Sequence, residues 1–131
     1  MVVSSASTGF IGINAIGTGL PTSASSSVVS IASADSRAFA LLDMDTNVPG
    51  DDVAYIAGNS GFFKYYNNGT SWIAMGSLTG TSISHLTAAV NGANVDIYVT
   101  DGANMYKIVD SAGPSANISN SGSALSAVAA W

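Results

Sequence analysis

Asn59-Ser60-Gly61-Phe62-Phe63-Lys64-Tyr65 is a tight polar turn that feeds a strand with large residues at alternating positions. Two other stretches have the same form: Ser7-Thr8-Gly9-Phe10-Ile11-Gly12-Ile13 before it and Ala103-Asn104-Met105-Tyr106-Lys107-Ile108 after it. Each follows a short apolar run. With Phe10, Phe62 and Met105 aligned, the copies lie 52 and then 43 residues apart. Units of roughly 40 to 50 residues built from short strands and turns are the period of β-propeller blades.

The composition agrees with an all-β chain. Only 8% of the 131 residues are charged while 47% are hydrophobic, too apolar a mixture for a disordered segment. The net charge is −5, and the only basic residues are Arg37, Lys64 and Lys107. No basic stripe can be assembled from three cations, so nucleic-acid binding is not expected, nor attraction to an anionic membrane surface. No apolar run reaches the length of a membrane span. Cysteine is absent, which removes disulfides, zinc–thiolate sites and thiol catalysis. Met1-Val2-Val3-Ser4 has neither a basic nor an apolar leader region, so no signal peptide is read in this chain.

Working outward from the central turn, the strands fall into units. Arg37–Leu42 is a nearly continuous apolar run suited to burial on both faces, followed by Val53–Ala57, Phe62–Tyr66 and Trp72–Met75. Asn68-Gly69 is a strong hairpin signal between the last two. These four strands make one blade, over residues 37–79. Leu86–Val90, Val95–Val99, Met105–Val109 and a weaker outer strand near Ala116–Ser119 make a second, over 84–121. Residues 1–33 supply only three strands, at Val2–Ala6, Phe10–Ile16 and Val28–Ala32. A small-residue strand, Ala124–Ala130, lies in the closing segment 123–131 and matches Leu86–Val90 in character.

With strands lettered a to d from the axis outward, the chain reads b-c-d, a-b-c-d, a-b-c-d, a. An incomplete blade leaves an open strand edge, and propellers close with about four to eight blades. Two copies would give six blades, each copy's terminal strand completing the first blade of the other in a velcro-like closure. The expectation is a single partial propeller of three blades per chain, closed as a six-bladed homodimeric ring by strand exchange. Val2, Val3, Leu125, Val128 and Trp131 are the residues expected at that interface.

Several phrases resemble secreted bacterial β-propeller repeat proteins: Asn14–Thr22, Phe39–Pro49 ending in Asp-Met-Asp-Thr-Asn-Val-Pro, Phe63–Trp72, Leu86–Val90 and Asp96–Gly102. The resemblance covers most of the chain and implies an extracellular or cell-surface module, of a kind often without an assigned activity. The chain departs from that group in holding three blades instead of a full ring, which also fits an engineered or excised fragment with purely structural self-assembly.

Three features are candidates for chemistry. The loop Asp43-Met44-Asp45-Thr46-Asn47-Val48-Pro49-Gly50-Asp51-Asp52 begins like a calcium loop, with Asp43, Asp45, Asn47 and Asp51 as candidate ligands. The match then fails, since the turn glycine falls late and no glutamate follows; a structural loop without cofactor is the preferred reading. His85 is the sole histidine and has no acidic neighbour in sequence, so an enzyme with a site at the ring axis is the least favoured reading. The aromatic cluster across one hairpin offers Tyr66, Asn68 and Trp72 as glycan-binding candidates, ring faces beside neutral polar groups. Packing between blades is the competing explanation, preferred for Phe62, Tyr65 and Trp72. The functional expectation is a non-enzymatic binding scaffold completed by self-association.

Overall fold

Eleven strands and no helix appear among the described residues, which in this computed structural model are 1–5, 11–17, 28–32 and 36–130. The strands are β1 (Val2–Ser5), β2 (Gly12–Ile16), β3 (Val28–Ala32), β4 (Ser36–Leu42), β5 (Val53–Gly58), β6 (Gly61–Asn67), β7 (Trp72–Thr79), β8 (His85–Asn91), β9 (Asn94–Thr100), β10 (Asn104–Asp110) and β11 (Ala127–Ala130). They form three antiparallel sheets: β1-β2-β3, β4-β5-β6-β7 and β8-β9-β10-β11. Ser7–Phe10 of the first turn, most of the Gly17–Ser27 link and Trp131 lie outside the described residues.

Local chemistry explains the hairpins. Between β6 and β7 the Asn67 side chain accepts from Gly69 N, and Asn68 Oδ1 accepts from Thr70 N and Ser71 N. These side chains satisfy turn amides that no strand can reach, and Gly69 supplies the left-handed φ of +87°. Asp101 does the same between β9 and β10, accepting from Ala103 N and Asn104 N.

The sheets stack face to face, with β4 against β8 and β1 against β4. The middle sheet is therefore covered on both sides, and alternation sorts its residues. Val53, Tyr55, Ala57, Phe62 and Tyr66 join Val95, Ile97, Val99, Tyr106 and Ile108 in one core. Ala54 and Ile56, flanked by the half-buried Phe39, Leu41, Phe63 and Tyr65, pack on Ile13, Ile31 and Ala32 in the other. The run buried on both faces is thus β5, whose six residues are all buried. β4, which the sequence suggested for that place, is mostly half-buried. The reason is position: β4 ends its sheet on one side, whereas β5 is paired on both edges and covered on both faces.

The third sheet differs from expectation in its outer strand. Residues 111–126 form no strand, and Ile118 is instead buried in the core while its N–H reaches Met75 O on β7. Pro114 carries no N–H, and Ser119 turns its side chain back onto Ser111 N, so this stretch cannot sustain a ladder. Ser123–Leu125 instead runs beside the end of β7, with Thr79 N donating to Ser123 O and Leu125 N to Thr79 O. β11 then takes the free edge of β10, opposite only Asn104, Met105 and Tyr106 and across a register shift. All four of its residues are exposed. In the single chain this strand is the outermost of the third sheet, not an innermost one.

Candidate functional site

The most strongly built polar site joins two sheets. Lys64 on β6 and Asp110 at the end of β10 are both buried, with Lys64 Nζ 2.7 Å from Asp110 Oδ2. Tyr55 Oη donates to the same oxygen at 2.8 Å, and Lys64 Nζ also donates to Gly113 O. Asp110 Oδ1 accepts from Ala112 N and Ser119 N. Burial first, and the adjacent Asp110 second, push the Tyr55 phenol far above its ordinary range. Tyr55 also stacks on Phe62 with centroids 5.7 Å apart. A buried ion pair with this many hydrogen-bond partners fixes how one sheet sits on the next. No sequence reading singled it out. The signal available was the recurrence of lysine at the same place in two copies, Lys64 and Lys107, in a chain with three basic residues.

The acidic loop is organised around Asp52, which was not among the candidates. Its buried Oδ2 accepts from Met44 N and Asp45 N at 2.9 and 2.6 Å, closing the loop on itself. Asp45 is engaged by Tyr66 Oη at 2.8 Å and by the Asn47 backbone and side chain. Those hydrogen bonds, the Asn47 amide first and Tyr66 second, hold the Asp45 carboxyl below its ordinary value. Asp43 and Asp51 are exposed. Among the described residues no group of three acidic or histidine side chains converges as a metal centre. The four candidate cation ligands therefore sit around a loop held by its own hydrogen bonds.

The three glycan candidates separate. Tyr66 is buried with its hydroxyl on Asp45, and Asn68 is occupied in the turn. Trp72 is half-buried and lines a groove of about 340 Å³ together with Asn67, Thr70, Ser71, Val29 and Ser30. His85, exposed at the start of β8, has Thr100 Oγ1 3.4 Å from its Nδ1. Of the expected interface residues, Val2 and Leu125 pack against cores within the chain, Val3 is half-buried and Val128 is 57% exposed.

Lys107 repeats Lys64 in the third sheet. Tyr98 lies opposite Lys107 in register as Tyr55 lies opposite Lys64. Here the pair faces away from the core: Tyr98 and the Lys107 side chain are each 37% exposed, and the Lys107 ammonium is 5.5 Å from the Tyr98 ring centre and 3.5 Å from Asp96 Oδ1. Tyr98 first, and Asp96 second, raise the Lys107 pKa.

No protein-family model, curated protein or solved structure matches this chain. Its class is defined by its own geometry: an all-β protein of three stacked antiparallel sheets whose third sheet turns an outward face of Tyr98, Lys107 and Val109 to solvent. No helix among the described residues is long and apolar enough to cross a membrane.

Proposed function

We propose that the chain is a non-enzymatic β-propeller scaffold that completes itself with a second copy, β11 of each adding to the β1 edge of the other. One observation carries this reading. All four residues of β11 are exposed where it lies on β10, while among the described residues β1 is the edge of a three-stranded sheet beside β4. An edge strand and an exposed small-residue strand are the two halves of a strand-addition contact. Removing residues 127–131 takes away β11 and leaves the Leu125 packing in place. The shortened chain is expected to stay folded and to lose self-association; a two-chain particle that survives the deletion refutes strand exchange.

The Trp72 groove supports a second property of the same scaffold, binding of a neutral glycan. An indole beside Asn67, Thr70 and Ser71 offers apolar stacking with hydrogen bonds to hydroxyls. On a glycan array, Trp72→Ala should weaken any bound sugar at least about tenfold with the circular dichroism unchanged. Undiminished binding by that variant, or none by the parent chain, removes this reading.

A further inference from the structure

The geometry points to the outward face of the third sheet as an interface that the first sheet of a second copy covers, the contact centred on Tyr98, Lys107 and Val109. This rests on the self-completing reading and gives it a residue-level contact.

The chain itself displays what covers such a face. Positions 43 residues apart correspond: Tyr55 with Tyr98, Lys64 with Lys107, Val53 with Asp96, Tyr66 with Val109. The strand registers agree, since Tyr55 pairs with Lys64 and Val53 with Tyr66, as Tyr98 pairs with Lys107 and Asp96 with Val109. In the middle sheet this face is buried under the following sheet. In the third sheet the same positions are open, with Val109 42% exposed. A face that sets Tyr98 and Val109 around a neutralised Lys107–Asp96 pair is built to meet another sheet.

Charge identifies the sheet. Lys64 receives its counter-charge across the contact, from Asp110 of the sheet that covers it. Lys107 receives its counter-charge from its own sheet, because Asp96 stands where the middle sheet has Val53. Asn91 Nδ2 further fixes Asp96 at 3.0 Å. A covering sheet therefore needs no carboxylate, and one that brought an acid to this place would meet Asp96. Residues 1–34, which contain β1, β2 and β3, have no Asp, Glu, Lys or Arg at all. A neutral first sheet fits over an internally neutralised third sheet.

Sedimentation of the full chain, of Val109→Arg, of Tyr98→Ala and of the chain lacking residues 127–131 tests this, with circular dichroism confirming the fold of each. Both face variants should stay folded, because their side chains point away from their own core, and should associate at least about 30-fold more weakly. Asp96→Asn should weaken association by a similar factor, since Lys107 would be covered without its partner, and adding Lys107→Met should recover part of it. If the face variants associate as tightly as the parent while the deletion is monomeric, the face assignment falls and strand exchange stands. If the face variants are monomeric and the deletion still pairs, the face assignment stands alone. A parent chain that is monomeric at every concentration overturns both.

Discussion

Asp110→Ala is expected to lower the unfolding free energy by about 3–5 kcal/mol, the range for leaving one partner of a buried ion pair uncompensated. The variant would strand the Lys64 ammonium at 0% side-chain exposure with Gly113 O as its remaining acceptor. It would also take the acceptor from Tyr55 Oη and from the amides of Ala112 and Ser119. Those amides hold the first part of the irregular segment after β10, so the loss reaches the packing of Ile118 as well. Lys64→Met should be milder, because Asp110 would keep three of its donors and the methionine would fill most of the lysine's volume. The double variant Lys64→Met/Asp110→Asn should be less unstable than Asp110→Ala, since no charge is left buried. Urea unfolding followed by tryptophan fluorescence measures all three. A loss below about 1 kcal/mol for Asp110→Ala would show that the pair does not organise the contact between the sheets.

Gly61→Ala is expected to cost about 3 kcal/mol or more, from backbone strain and overpacking together. Gly61 opens β6 at φ +130°, and a Cβ there would lie 2.3 Å from Leu78 O on β7. The carbonyl belongs to the sheet backbone and cannot rotate aside without breaking the register of β6 with β7. Gly69→Ala is the control: its φ is also positive, at +87°, but nothing lies within 4 Å of the added carbon. That variant should lose only about 1 kcal/mol, the strain of the left-handed conformation. Equal losses at the two glycines would contradict the close approach at Gly61.

Much of the fold was legible because hairpin signals are local. The Asn68-Gly69 turn, the Asn91-Gly92 turn and the polar run at 59–61 each join strands that pair as their spacing implies. The end of the third sheet was not legible, because an Ala–Val run reads the same on either side of a sheet. Its place on β10 follows from what Pro114 and the Ser119 side chain prevent upstream. Sites between sheets were the least visible. Lys64 and Asp110 meet only through stacking, and nothing in either neighbourhood announces the other. Within the acidic loop the residue types were informative and their roles were not. Asp52 became the buried anchor because it directly precedes β5, whose entry into the core carries the carboxylate inward. Trp72 kept a dual part, half in the core and half along a groove, which alternation alone could not divide.

Sedimentation equilibrium of the full chain tests self-completion most directly. A folded particle of twice the 13.1 kDa of one chain, dissociating on dilution as a single two-chain species, is the predicted result. A folded particle of 13.1 kDa at every concentration would contradict it.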